Sequence, residues 1–493
     1  MALLFVLRPV WKLPLRGLRL PVIYRAGGHL CAGLFLIYVL LGLTGCQEDN
    51  GDSYILLQPE AGEELSGGET TVFDQSQNAF GFEASNLDEA NGLLFFTGNS
   101  LFNQNWVTAP SSTAARDGLG PFFNSRSCSG CHFKDGRGRP PGYEDEKSAG
   151  LLFRLSISGT DAHGGNLPDP VYGGQFQDDA IQQVDAEGKV RVSYQAVPVT
   201  YSDGTVVTLR KPNYRFTDLN YGPLATGLQV SPRVAPQIIG LGLLDAVPES
   251  TVLARADEAD INGDGISGKP NYVFDLEAGT TRLGRFGWKC NQPTLKQQIA
   301  AAFSGDLGIT TSLNPDETCP TGVDCAAIPN GGNPEISDEN LGKVVLYSTT
   351  LGVPVRRDYE DQVVLEGKNL FETIGCTACH IPVLQTGPYP VPALENQTIR
   401  PYTDLLLHDM GEGLADHSPE FNATGAEWRT PPLWGLGLIE TVNGHTFLLH
   451  DGRARNVEEA ILWHNGEALS ARNRFMELDA ADREKLIAFI KSL

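Results

Sequence analysis

Two short stretches of this chain carry residues whose types and spacing could do chemistry. Cys128-Ser129-Gly130-Cys131-His132 and Cys376-Thr377-Ala378-Cys379-His380 share one pattern, Cys-x-x-Cys-His. Two thiols so spaced can add across the vinyl groups of a porphyrin, and the imidazole that follows then lies under the iron as an axial ligand. A structural zinc site or a pair of disulfides would also use the thiols. Zinc needs thiolates, which survive poorly in an oxidising compartment, and it does not require a His after each second Cys. The pattern therefore predicts two covalently bound c-type haems. Cys128, Cys131 and His132 would hold one, and Cys376, Cys379 and His380 the other. Two irons in one chain imply electron transfer and open the way to redox catalysis.

The elements around the motifs repeat too. Gly98-Asn99-Ser100-Leu101-Phe102 precedes the first motif and Gly367-Lys368-Asn369-Leu370-Phe371 the second. Each reads as a short helix whose Leu and Phe face the porphyrin, and resembles the opening helix of a cytochrome c domain. Asp479 is a plausible N-cap, and Leu486, Ile490 and Leu493 recur at helical spacing, which predicts a closing helix. Ser337 to Tyr347 predicts a capped helix leading into the second haem region, and Pro354 ends that stretch. Leu151 to Ser158 and Val190 to Leu209 alternate as strands do, with Asp203-Gly204 where a hairpin turn belongs. The expected fold is mainly α. Two cytochrome c-like haem domains, 86–335 and 336–493, would be joined by sequence, the first with a β-rich insertion at about 150–230.

The 493-residue chain is 41% hydrophobic, enough for substantial cores, and its 60 acidic against 37 basic residues give a net charge of -23. That balance excludes nucleic acid as an expected partner. It would suit a cationic redox partner. Arg8, Lys12, Arg16, Arg19 and Arg25 precede an apolar run, Leu30 to Leu43, too short for a comfortable membrane span. Leu43-Thr44-Gly45-Cys46 then resembles a bacterial lipoprotein box. The reading is a signal peptide over 1–45, lipidation at Cys46, and a flexible tether over 46–85. Periplasmic placement on a lipid anchor follows, with Gln47 resembling a position that permits sorting to the outer membrane. Once Cys31 leaves with the signal, Cys290, Cys319 and Cys325 remain. Cys319 and Cys325 could close a short disulfide loop, but spacing alone does not fix the pairing. Asp260, Asn262 and Asp264, with Gly265, resemble a calcium loop whose twelfth position is Asn271 in place of a bidentate Glu.

A family pattern emerges from several motifs in order. Phe123-Asn124, the first haem motif and Asp135-Gly136-Arg137-Gly138 come first. Ser231-Pro232-Arg233-Val234-Ala235-Pro236-Gln237, Leu407-His408-Asp409-Met410-Gly411 and Glu427-Trp428-Arg429-Thr430-Pro431-Pro432 follow. His450-Asp451-Gly452-Arg453 and the run ending in Trp463-His464 close the series. From roughly Phe95 to Leu493 the chain resembles the bacterial di-haem oxidoreductase family, often labelled predicted thiol oxidoreductases. That family resembles the di-haem cytochrome c peroxidases and the di-haem enzyme that matures methylamine dehydrogenase.

The resemblance assigns roles. His464 follows a helix capped by Asn456 and shares a face with Val457, Ala460 and Ile461. It aligns with the sixth ligand, commonly Met, of the peroxidases' electron-transfer haem, and a second imidazole would lower the potential. Met410 fits that register less well. Trp288 and Gln298 keep the spacing of a relay Trp and a distal Gln, and Asp306 falls near the family's distal acid. Gln298 would orient a peroxide, Asp306 would move its proton, and Trp288 would relay electrons. The displaceable distal His of the peroxidases has no counterpart before Ala235-Pro236. The first haem is expected to be open, with ligation by His163 second. Arg137, Arg429 and Arg453 would bind haem propionates, His408 and His450 would stand behind the haems, and His417 and His445 would be at the surface.

The implied activity is reduction of a small oxidant such as peroxide, with electrons from a periplasmic donor. A plain di-haem electron carrier and an oxidase of thiol or protein substrates are the alternatives. A homodimer would be unsurprising by resemblance.

Overall fold

In the computed structural model, which describes residues 56–113, 116–148 and 150–493, the chain runs through α1 (Glu89–Asn103), β1 (Leu151–Thr160), β2 (Gln175–Phe176), β3 (Lys189–Thr200), β4 (Val206–Thr217), β5 (Gln229–Val234), α2 (Leu295–Leu307), α3 (Asp338–Thr350), α4 (Gln362–Thr373), β6 (Leu407–Asp409), β7 (Glu427–Arg429), α5 (Val457–Trp463) and α6 (Ala480–Ser492). The signal peptide and Cys46 lie outside the described residues. Among those described, no helix is long and apolar enough to cross a membrane.

Two packed helix pairs stand beside the haem motifs. α1 packs on α3, and α4 on α6. Each helix has a side-chain N-cap, from Asp88, Ser337, Asp361 and Asp479 respectively, which satisfies one otherwise orphaned N–H. The repeated glycines explain how closely the pairs approach. A Cβ on Gly98 would collide with the Lys343 carbonyl of α3, and one on Gly367 with the Lys485 carbonyl of α6. The Leu-Phe steps that follow place Phe102 and Phe371 in the core beside the motif histidines.

In sequence, β1 to β5 lie between α1 and α3, and β6 and β7 between α4 and α6. β1 pairs antiparallel with β5 and with β2. β3 and β4 form a long antiparallel hairpin. At its tip Gly204 takes φ +87°, and the Asp203 carboxylate accepts from Thr205 N–H. The hairpin reaches across to the C-terminal region. Tyr201 donates to Glu458, Arg483 donates to Asp203, and Arg210 donates to the Gly452 and Arg453 carbonyls.

Two expectations are corrected here. The fold is not mainly α, since helix makes up 28% and strand 19%, spread over several small sheets. It is also not two cytochrome c-like domains side by side, because residues 56–493 form one unit. The physical reason is the same for both. The inserted strands bond to both haem regions, through Phe176 and Gln175 to Asn124 and Asp306 and through Tyr201 and Asp203 to Glu458 and Arg483, and α3, expected to lead into the second region, packs on α1 of the first. Parts of the expected tether are packed, while Leu56, Phe73 and Phe82 are exposed. Glu63 is buried in ion pairs with Arg356 and Lys368, and Phe80 is fully buried. Cys319 and Cys325 are disulfide-bonded.

Candidate functional site

Both Cys-x-x-Cys-His motifs open onto one cavity of about 580 Å³. His132 and His380 are placed alike. The Nδ1 of His132 is 2.7 Å from the Pro236 carbonyl, and that of His380 is 2.9 Å from the Tyr402 carbonyl. A carbonyl can only accept, so Nδ1 carries the proton and Nε2 is left basic. The Phe102 ring lies 6.2 Å from that of His132, and Phe371 lies 6.2 Å from His380.

A third imidazole is locked the same way. His464 ends α5, and its Nδ1 is 2.7 Å from the Ala460 carbonyl. Asn456 caps that helix by accepting from Glu459 N–H at 2.9 Å. His464 lines the cavity with His380. Burial, with help from the neighbouring His464 ring and against the Tyr402 carbonyl, holds the His380 pKa down at about 4, and burial also lowers that of His464. Both rings are therefore neutral and can donate a lone pair. Met410 lines the same cavity.

On the first motif's side, α2 lays Gln298, Ala302 and Asp306 along the cavity at a spacing of four. Thr294 caps this helix through Gln297 N–H. The axial rise of a helix separates the Cα atoms of Gln298 and Asp306 by ~12 Å, so only their side chains can converge. Asp306 accepts from Gln175 Nε2 at 2.8 Å. Burial pushes its pKa up, against the pull of Arg154, Gln175 and His132. Trp288 is buried, donates to the Val234 carbonyl at 2.9 Å, and has the Arg137 guanidinium 5.2 Å from its ring. Its own carbonyl accepts from Arg429 N–H. Trp288 thus touches one arginine from each motif's neighbourhood.

Unpaired polar groups in the wall test whether two haems fit. Arg137 Nε, Arg429 Nη1 and Arg472 Nε are buried without a partner among the described residues, and all three side chains line the cavity. Burying a guanidinium N–H unsatisfied is costly, and haem propionates supply the matching carboxylates. Arg453 is different, because Asp451 already engages it through Nε at 2.9 Å. Three neutral imidazoles, two dithiol pairs and these guanidiniums fit two haems. They do not fit zinc. The three-ligand group found among the described residues is Cys379, Asp404 and His408, which holds one thiol.

His408 is buried with Nε2 2.8 Å from Asp404 and Nδ1 2.6 Å from Glu467. Burial opposes its charge, but Asp404, Cys379 and Glu467 together prevail and hold its pKa well above the ordinary value. His450 stacks on Trp428 at 3.8 Å, and burial pushes its pKa down to about 3.

Of the other expected residues, Asp264 reaches the cavity wall, and His163, His417, Asp260, Asn262 and Cys290 do not. His163 is exposed and stacks on Phe274. His417 is exposed, whereas His445, expected at the surface, is half-buried against the Arg137 carbonyl. In the acidic loop, Asp260, Asn262 and Asp264 accept backbone N–H groups of that same loop. Asn271 is buried and turned away, donating to the Lys289 carbonyl. Cys290 is buried, donates to the Leu405 carbonyl, and burial pushes its pKa up to about 12, which makes it a poor redox thiol. Sequence reasoning missed Arg472, Gln175 and Arg154. The last two lie on strands whose partners are distant in sequence, and no local signal marks them.

The wall defines a protein that holds two haems. Family comparison places it more narrowly. The chain belongs to the family described as "Di-haem oxidoreductase, putative peroxidase", whose model matches residues 61–493. Comparison with curated proteins and with solved structures gives no significant match.

Proposed function

We propose that this di-haem oxidoreductase is a c-type peroxidase that takes electrons in at the second motif and reduces a peroxide at the first. The observation that carries the reading is the asymmetry of the imidazoles. His464, with its basic nitrogen available, is among the groups that act on the His380 ring, whereas no other imidazole is among those that act on His132; His450 lines the same cavity but is stacked on Trp428. Haem bound at these sites would relay the donor's electrons and supply the position at which a peroxide is reduced. His380 and His464 would hold the second haem, and His132 the first. Cys128, Cys131, Cys376 and Cys379 would form the thioether links.

The chain's own groups then divide the remaining work. Gln298 offers an amide to orient the substrate. Asp306, whose raised pKa brings it closer to the working pH, moves a proton between the peroxide oxygens. Trp288, fixed by Val234 and flanked by Arg137, provides an aromatic path between the two sides. The Arg137, Arg429 and Arg472 guanidiniums pair with carboxylates that would otherwise be buried alone. Export, lipidation at Cys46 and a periplasmic donor complete the proposal.

Low-temperature EPR of the oxidised, haem-loaded protein tests it. The expected result is a high-spin ferric signal that disappears on adding hydrogen peroxide, beside a low-spin bis-imidazole signal. Two low-spin signals indifferent to peroxide would overturn the open first site.

A further inference from the structure

The face of the β1 sheet that looks toward α2 carries an arginine that the roles above do not use. Arg154 on β1 is the register partner of Gln175 on β2 and of Ser231 on β5, so the three side chains stand together on one face. Leu152 and Arg233 follow on that face one register step away. Gln175 reaches across to Asp306 at 2.8 Å, which ties this part of the sheet to the cavity beside His132. Arg154 itself lines that cavity. It lies deep in the fold, yet keeps accessible surface, because the surface it exposes is the cavity's own.

The charges along this wall do not cancel at Arg154. Arg233 is ion-paired with Glu420. Lys289, fully buried, is paired with Asp416 at 3.0 Å. Arg154 makes no hydrogen bond or ion pair with any side chain among the described residues. Asp306 is the carboxylate it senses most strongly, and burial drives that group toward its neutral form. A guanidinium that faces a cavity without a partner carries a charge that an anion entering the cavity can meet.

We propose that Arg154 is the anion-receiving residue of the cavity beside His132. Its ligand is a small monoanion of the hydroperoxide class, for which azide and fluoride serve as probes. The inference rests on the reading that a haem bound at His132 keeps a position open. It adds a preference that Gln298 and Asp306 alone would not give, for anionic over neutral ligands of similar size.

The test is optical titration of the ferric, haem-loaded, full-length protein with fluoride, azide and neutral imidazole, for wild type, Arg154→Gln and Arg154→Lys. Losing one charge-assisted hydrogen bond should raise the dissociation constants of both anions by about 10- to 100-fold in Arg154→Gln, with imidazole changed less than about 2-fold. Arg154→Lys, which keeps the charge, should fall between. Equal effects on anions and imidazole, or none, would overturn the assignment while leaving the open site intact. So would loss of the first haem with unchanged anion affinity in the protein that retains it, which would make Arg154 a propionate partner. Wild type that binds neither anions nor imidazole would overturn the open site and this inference together.

Discussion

Beneath His132 and His380 the two motif regions are built alike, down to the 6.2 Å between each imidazole and the Phe of its opening helix and the carbonyl that fixes each Nδ1. Across the cavity they differ. The second region presents His464, locked like the motif histidines themselves. The first presents Gln298, Asp306 and Arg154. The shared side is set by local sequence, a helix, a glycine and a five-residue motif. The differing side is set by elements distant in sequence. The part that duplicates would hold the cofactor, and the part that diverges would decide what each copy does.

The most severe way to test this comparison is to delete one copy at a time. Cys128→Ala with Cys131→Ala, and Cys376→Ala with Cys379→Ala, should each lower covalent haem, measured as pyridine haemochrome, from two per chain to one. Peroxide turnover should be lost with the first pair. Unchanged covalent haem in either variant would refute the duplicated near side. Next in size is erasing the difference. His464→Ala should replace the low-spin bis-imidazole EPR signal with a high-spin one, so that both sites resemble each other. A persistent low-spin signal would hand the sixth position to Met410, which lines the same wall.

Asp306→Asn sharpens the comparison on the first side. Removing a proton-transfer group typically costs about 10²-fold or more, so peroxide turnover should fall by that order and its pH dependence should flatten. Stability should move the other way. The Asp306 pKa is raised in the fold by burial, so the unfolded chain releases this proton first as pH rises. Folding is then favoured below the unfolded value near 3.9 and penalised as pH rises through the folded one. At neutral pH Asp306→Asn should melt higher than wild type. A variant both slow and less stable would make Asp306 a structural group.

How much of this was readable follows from where the information sits. The haem motifs, the Gly-x-x-Leu-Phe steps and the Asp479 cap are local, and the sequence carries them openly. His464 was legible because Asn456 and the apolar spacing fix its helix face. Gln175 was not, because its reach to Asp306 depends on the pairing of β1 with β2 and on α2, which is over a hundred residues away. The packed part of the expected tether was hidden for the same reason. Gly- and Glu-rich composition suggests flexibility, but Glu63 meets Arg356, a partner 293 positions on that no local pattern announces. The mainly α expectation fails because motifs mark haem-binding helices strongly, whereas two- and three-residue strands such as β2 and β6 leave almost no periodicity to read.

The smallest effect concerns the electrostatic surroundings of the thiols, which also differ between the copies. Cys128 and Cys131 feel the Asp306 carboxyl. Cys379 Sγ lies 3.6 Å from His408 Nδ1, and that ring is held between Asp404 and Glu467. With a carboxylate on each nitrogen, His408 is an imidazolium, and its pKa in the fold stands well above the unfolded value near 6.5. A group with a raised folded pKa contributes its full stabilisation below the unfolded value and loses it as pH rises through the folded one. His408→Gln keeps hydrogen bonding but never carries the charge. Its melting temperature should therefore fall furthest below wild type at and under pH ~6.5. The gap should persist through neutrality and close only on the alkaline side, as wild-type His408 loses its proton. Thermal melts of the haem-loaded pair across acid to alkaline pH measure this directly. A gap that stays constant, or widens toward high pH, would mean that His408 is neutral and that the two copies differ across the cavity but not around their thiols.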